Sequence, residues 1–312
     1  MNIHILMATY NGEKYLAEQL ESLQAQTYQD WTLYVRDDGS QDNTLDILRR
    51  YALQDSRISI LDNNGERLGA CGNFSFLMEQ SLDAEYVMFC DQDDVWMPNK
   101  IQLTLEAMLA LEVKYGNMPL MIYTDLQVVD DQLNTIANSF LAYQSIDPRK
   151  NNLHDILVTN PVAGCTALLN RVLVKLAAPI PTDALGHDCW CSLVASAFGK
   201  LEHLNRPLIY YRQHGRNDVG AYSFNFRYIA KRTLSIIDLS SNELRATMIR
   251  SIIQAKSFLS RYSGKLDVDS LHIIQMYTSL LEDTFWERRV KIIKYKFFRH
   301  GLVRNLGLML RA

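Results

Sequence analysis

No uninterrupted apolar stretch in this 312-residue chain approaches the ~20 residues needed to cross a bilayer, so no transmembrane helix is expected. The run Ile3 to Ala8 is too short for a signal-peptide core and passes directly into a polar turn, so the mature chain is expected to begin at Met1. Cysteine is scarce and odd in number: Cys71, Cys90, Cys165, Cys189 and Cys191 lie in apolar surroundings. That argues against a disulfide framework, and Cys189 and Cys191 have the wrong spacing for a zinc or redox pair. Reduced thiols in a cytosolic protein are the expectation. No internal repeat is present. With 48% hydrophobic and 21% charged residues, the chain can bury a large core in one large domain or two smaller ones.

Net charge is also small, at −3, but it hides a division. Residues 1–220 carry 16 Lys+Arg against 28 Asp+Glu, and residues 221–312 carry 16 against 7. An acidic body is therefore joined to a basic tail suited to meeting phosphates.

The body alternates strand and helix patterns. Strands are expected at Ile3–Ala8, Trp31–Val35, Ile58–Leu61 and Tyr86–Cys90, with helices at Glu13–Gln26, Asp42–Gln54, from Gly69 to about Leu82, and from Pro98 to about Tyr115. This rhythm implies a mostly parallel, Rossmann-like sheet with right-handed crossovers. Beyond it come strand patterns at Leu120–Val129, Gly164–Leu169 and Pro207–Gln213, and a helix beginning at Leu185–Trp190. After Tyr222 the patterns are almost entirely helical.

The chain is organised around Tyr86–Cys90, an apolar run that stops abruptly at Asp91-Gln92-Asp93-Asp94-Val95-Trp96. Carboxylates at a strand's exit suit a hard divalent cation shared with phosphates; the plainer alternative is a polar loop before a helix, capped by Asp94 or Asn99. Thr9-Tyr10-Asn11 and Asp37-Asp38-Gly39-Ser40 also follow strands. In a parallel sheet all three clusters leave on one edge and can surround one ligand.

These motifs resemble the inverting family 2 glycosyltransferases of GT-A fold. The resemblance covers roughly residues 1–220 and rests on Ala8-Thr9-Tyr10-Asn11-Gly12, Gln26-Thr27-Tyr28, Asp37-Asp38-Gly39-Ser40-Gln41-Asp42 and Asp91-Gln92-Asp93-Asp94-Val95-Trp96. Gly164-Cys165-Thr166, His187-Asp188-Cys189-Trp190 and Tyr211-Arg212-Gln213-His214-Gly215 look most like bacterial rhamnosyltransferases of cell-surface polysaccharide synthesis. The resemblance implies a GT-A catalytic domain over residues 1–220 and a helical C-terminal region over 221–312. It implies Asp91 and Asp93 as the DxD pair holding Mg²⁺ or Mn²⁺, joined by His214, with Arg212 and Arg216 near the diphosphate. Thr9, Tyr10, Asn11, Gln92 and either Asp37 or Asp38 would hold the nucleotide, with Arg67, Asn73 and Trp96 near the donor. Asp188 would be the general base, where other members carry Glu-Asp in place of His187-Asp188, and Gly164, Cys165, Thr166, His187 and Trp190 would line the acceptor pocket.

Each role has a plainer reading: Asp188 as a helix cap, His214 as a structural histidine, Arg67 as a surface cation, Trp96 and Trp190 as core aromatics. The activity implied is transfer of L-rhamnose from dTDP-L-rhamnose to a lipid-linked glycan, with UDP-glucose, UDP-galactose and N-acetylhexosamine donors as alternatives. A nucleotidyltransferase or a non-catalytic scaffold of a polysaccharide-assembly complex are the rivals. Residues 286–312 hold eight Lys+Arg against Glu287, interleaved with Phe297, Phe298, Leu302, Leu306, Leu308 and Leu310. Such a tail suits an anionic membrane at the cytoplasmic face, or else packs on the body or on a second copy in a homodimer. Nucleic acid is not expected as a partner, because no reading motif accompanies the charge.

Overall fold

A computed structural model describes residues 1–214 and 243–311. Strands β1 (Ile3–Thr9), β2 (Trp31–Asp37), β3 (Ile58–Leu61) and β4 (Tyr86–Cys90) pair in parallel in the order β3-β2-β1-β4. Helices α1 (Leu16–Gln24), α2 (Thr44–Gln54) and α3 (Gly69–Glu79) make the crossovers. Alternate residues of each strand enter opposite layers: Leu6, Val87 and Phe89 face one core, and Ile5, Met7, Met88 and Cys90 the other. β4 is buried at all five positions and β1 at six of seven, which is why these two central strands are predominantly apolar.

The second half continues the same sheet by other means. After β5 (Val95–Trp96), α4 (Lys100–Tyr115), β6 (Leu120–Val129) and β7 (Thr135–Ala137) come two short helices, α5 (Phe140–Tyr143) and α6 (Leu153–Ile156). β8 (Ala167–Asn170), α7 (Arg171–Ala177), α8 (His187–Phe198) and β9 (Lys200–Arg212) follow. β8 lies antiparallel between β4 and β6, β9 runs parallel to β6, and β5 closes the far edge antiparallel to β9. The strand expected from Pro207 thus begins seven residues earlier. Its register breaks where Pro207, which has no N–H to donate, meets Asp125. The expected strand at Gly164 begins instead as a 3-10 turn over Gly164–Thr166.

The C-terminal helices are α9 (Glu243–Tyr262), α10 (Val268–Thr278), α11 (Phe285–Lys294) and α12 (Leu302–Arg311). The expected boundary at 220/221 lies outside the described residues. Met248, Ile252, Phe258, Tyr262, Ile274, Phe297 and Leu308 share one continuous core with Leu6, Phe89 and Trp190, so the helical region is packed onto the sheet layer. Arg261 reinforces this by donating to the carbonyl of Leu176 at 3.2 Å, and Tyr262 Oη reaches the same oxygen at 2.6 Å.

The tail is two helices rather than one. Phe297 and Leu308 are buried, while Leu302, Leu306 and Leu310 face outward, so the apolar residues divide between core and surface. Several cations serve internal bonds. Arg288 donates to the carbonyls of Leu280 and Asp283, Lys291 pairs with Asp283 at 2.6 Å, and Arg304 donates to the carbonyl of Gln144 at 2.8 Å.

His300 fastens this region to the body, its Nδ1 accepting from the amide of Asp147 at 3.1 Å. Burial first, then the charges of Lys150 and Arg304, push its pKa down to about 4. The folded imidazole stays neutral between pH 6.5 and about 4, whereas the unfolded one takes a proton there. Stability is therefore lost as pH falls through that window, by about 3 kcal/mol from this group. Urea unfolding at pH 7 and 4.5 should show a smaller acid loss for His300→Asn than for the native chain; equal losses would remove His300 from the effect.

Candidate functional site

Parallel pairing brings the three polar clusters to one edge. Thr9 is in register with Asp37, and Met7 with Cys90, so the loops after β1, β2 and β4 leave side by side. Gln92 ties the loop after β4 to the loop after β1 by pairing with both backbone groups of Tyr10, accepting from its amide and donating to its carbonyl, each at 3.0 Å. A side chain on Gly12 would collide with that Gln92 amide. Asn11, at φ +47°, takes Ser40 Oγ at 2.8 Å on its own N–H and returns its side-chain oxygen to the Gln41 amide at 2.8 Å.

The two acids after β2 behave differently. Asp37 accepts from Thr9 Oγ1 (2.9 Å), Gly39 N (3.0 Å), Ser40 N (2.8 Å) and Ser40 Oγ (2.5 Å), which fills a carboxylate's four lone-pair positions. Thr9 and Asp37 are thereby occupied in closing the loop. Asp38 accepts from the amides of Leu68 at 2.7 Å and Gly69 at 3.1 Å, with Arg36 at 3.5 Å. Burial opposes its charge, but those amides, Asn73 and Arg36 together hold the carboxyl below its ordinary range. Asn73 itself is turned inward, bonded to Arg36 and to the carbonyl of Gly69, and supports Asp38 from beneath instead of facing a donor. Exposed at the mouth are Tyr10 and Arg67, the guanidinium 4.4 Å from the ring centroid.

At the acidic corner His214 Nε2 lies 2.8 Å from Asp93 Oδ2, and its ring stacks on Tyr15 at 4.9 Å. Arg212 does not face a diphosphate. Its Nε donates to Asp93 O (3.0 Å), Nη1 to Asp131 O (2.7 Å) and Nη2 to Glu18 Oε2 (2.5 Å), while its amide reaches Asp94 Oδ1 at 3.2 Å. It is a buried strut that fixes the acidic loop. Gly215 and Arg216 lie outside the described residues.

Asp91, Asp94 and Cys165 each place one donor atom within 4.8 Å of the others. Asp94, however, is buried. Burial, then the neighbouring charges of Asp93 and Asp91, push its pKa well up, and burial does the same to the Cys165 thiol. The more open Asp93 and His214 are better placed to meet a ligand, and carboxylate plus imidazole suits a hard cation where a neutral thiol does not. Lys100, fully buried over the Trp96 ring at 3.4 Å, is pushed down to about 7 by burial.

On the other side of the rim α8 begins at His187. Its imidazole packs between Phe74 and Phe89, with ring centroids at 3.9 and 4.5 Å, and burial keeps it neutral despite the charge of Asp188. A side chain on Gly164 would strike its Nε2, and one on Gly186 would lie 2.6 Å from Asp188 Oδ1. Asp188 accepts from Asn160 Nδ2 at 3.0 Å. Burial, with the charge of Asp188 adding to it, raises the Cys71 thiol to about 11, so it sits beside the carboxylate protonated. The turn Gly164–Thr166 connects the two halves of the rim, touching His187 at one residue and grouping with Asp91 at the next.

Some expected site residues do not reach the rim. Trp96 is 2% exposed under Lys100, and Trp190, at 0%, donates to the carbonyl of Ala177 at 2.9 Å and packs against Phe258 of α9. Cys165 and Thr166 are also buried, and Thr166 Oγ1 donates to the carbonyl of Ala163. They lie beneath the surface here and do not line a pocket wall. Tyr15 and Asn160 were not anticipated. Tyr15 follows a helical apolar pattern, and Asn160 lies in a loop with no local motif.

The architecture matches that of TarS from S. aureus in complex with UDP, with a TM-score of 0.54 and 16% identity over 99% of this chain and 90% of that one. The TarS complex with UDP-GlcNAc gives 0.52 and 17% over 95% and 80%. The fold is therefore GT-A. The family model for glycosyl transferase family 2 matches residues 4–173, and the chain belongs to that family. It is 28% identical over 306 residues to the dTDP-rhamnosyl transferase RfbG of Shigella flexneri, covering 91% of this chain and 94% of that protein. It is also 30% identical over 174 residues to the UDP-Glc:alpha-D-GlcNAc-diphosphoundecaprenol beta-1,3-glucosyltransferase WfgD of Escherichia coli, covering 55% of this chain and 62% of that protein.

Proposed function

We propose that this chain is an inverting, metal-dependent rhamnosyltransferase that moves L-rhamnose from dTDP-L-rhamnose to a lipid-linked glycan in cell-surface polysaccharide synthesis. The observation that supports the reading is the Gly164–Thr166 turn, which meets His187, the neighbour of Asp188, at one residue and groups with Asp91 and Asp94 at the next, while Asp93 pairs with His214 at 2.8 Å. Tyr10, Arg67 and Asp38 would receive the pyrimidine and ribose, with Thr9, Asn11, Asp37 and Gln92 holding the loops that present them. Asp91, Asp93 and His214 would hold Mg²⁺ or Mn²⁺. When bound, such an ion offsets the charge gathering on the leaving diphosphate.

Asp188 acts on the opposite side of the reacting carbon. Its carboxylate takes the acceptor hydroxyl proton as that oxygen attacks, and the bonding pair between the sugar carbon and phosphate oxygen leaves with the nucleoside diphosphate. Displacement from a β-linked donor gives an α-linked product. The similarity to RfbG along nearly the whole chain supports the rhamnose donor, and the similarity to WfgD over 174 residues supports UDP-glucose as the second reading.

A panel of nucleotide sugars, scored by product mass with Mn²⁺ and a lipid-linked acceptor, tests this directly. The expected product is a rhamnosylated lipid with free dTDP. A hexose adduct from UDP-glucose would replace the donor assignment, pyrophosphate release would indicate nucleotidyl transfer, and no turnover of any donor would leave a scaffold.

A further inference from the structure

α11 and α12 each turn one face inward: Ile292, Phe297 and Leu308 line a common cavity with Tyr277 of α10. The opposite faces are largely exposed, with Arg289 lying over the Phe285 ring. On α11, Trp286 is 75% exposed, with Phe285, Val290 and Ile293 more than half exposed around it; on α12, Leu302 is 89% exposed, with Leu306 and Leu310 following at four-residue spacing. These are two apolar ridges one helical turn apart in repeat, not scattered surface side chains.

We propose that these ridges seat the protein on an anionic bilayer, which rests on the reading above that the acceptor is carried by a lipid. Three observations favour a bilayer over a second copy. Neither helix is long and apolar enough to cross a membrane, yet both have the amphipathic form that lies in its interface. An exposed Trp edge-on to Phe285, 5.1 Å between centroids, has the two-sided chemistry of the headgroup boundary. The charge beside the ridges complements lipid phosphate: Lys294 and Lys296 are exposed, and the acid Glu287 is turned back on Thr284 in a capping box.

Three of the four tryptophans, Trp31, Trp96 and Trp190, are buried, so collisional quenching of the full chain reports on Trp286. Vesicles of phosphatidylcholine with 30% phosphatidylglycerol should protect that fluorescence from acrylamide and co-sediment the protein at least tenfold better than pure phosphatidylcholine. The triple variant Trp286→Ser, Val290→Ser, Ile293→Ser and the variant Leu302→Ser, Leu306→Ser, Leu310→Ser should each lose tenfold or more in co-sedimentation. Turnover of a water-soluble acceptor should stay unchanged in both. Unprotected Trp286 with the native chain left in the supernatant would overturn the proposal, as would ridge variants that sediment normally or a native dimer that they dissociate. Those outcomes leave the donor assignment standing, because the soluble-acceptor assay needs no bilayer.

Discussion

Asp188→Asn is expected to lower sugar transfer by about 10²–10⁴-fold while leaving donor affinity nearly intact. The substitution keeps shape and removes only basicity. Asn160 can still donate to the replacement's oxygen, and the polar side chain still sits in the first turn of α8, so the helix start is preserved. Two neighbouring thiols do not substitute for the lost base, since burial holds Cys71 and Cys189 protonated well above neutral pH. Single-turnover rates with pre-bound donor, set beside a binding titration of nucleoside diphosphate, separate the roles. Equal loss of rate and affinity would make Asp188 a structural cap, the plainer reading of its position.

The parts of the site that can be read from residues alone are those fixed by strand ends. β1 and β4 are buried along almost their whole length and β2 at every second position up to Val35, so apolar residues dominate each strand and the polar clusters at their exits stand out. Parallel pairing then obliges Thr9, Asp37 and Asp91 to share an edge. What cannot be read is which side chains near that edge point outward. Trp190 belongs to the core because Phe258 and Tyr262, some seventy residues later, cover it. Arg212 sits beside His214 in sequence with the same outward chemistry. Its partners are a carbonyl at Asp131 and a carboxylate at Glu18, neither announced by local spacing.

The same limit explains the tail and the second half of the sheet. An alternation of cations with Phe and Leu looks like one amphipathic helix until Gly301, at φ +81°, and a turn divide it, after which Phe297 and Leu308 find the core and Leu302 does not. The start of β9 carries little strand signal because Lys200–Arg206 has only Leu201 and Leu204 among polar residues and is mostly exposed or part-exposed. β5 is two residues long and exists only by pairing with β9. Asp37 and Asp38, equivalent as letters, separate only when donors are counted. One is saturated by its own loop together with Thr9, and the other is positioned by the start of α3.

Asp93→Ala is expected to weaken nucleoside diphosphate binding at least tenfold in Mn²⁺ and to leave the metal-free affinity unchanged, a difference of about 1.4 kcal/mol or more. The loop should survive the truncation. Arg212 Nε holds Asp93 by its backbone carbonyl and the neighbouring Asp94 by the Arg212 amide, so removing the side chain cuts neither bond. The carboxylate's own contact is with His214 Nε2 at 2.8 Å, which has two explanations. If the pair only braces the end of β9, Asp93→Ala costs stability and His214→Ala costs the same, with donor affinity untouched in both. If the pair serves a cation, each variant loses the Mn²⁺ increment in affinity, and the double variant loses little more than either single one, because two ligands of one ion do not act independently. Titration of the diphosphate with and without Mn²⁺ across the native chain, both single variants and the double variant decides the matter. A native chain that binds equally well in both buffers would show that the acidic corner is not a metal site.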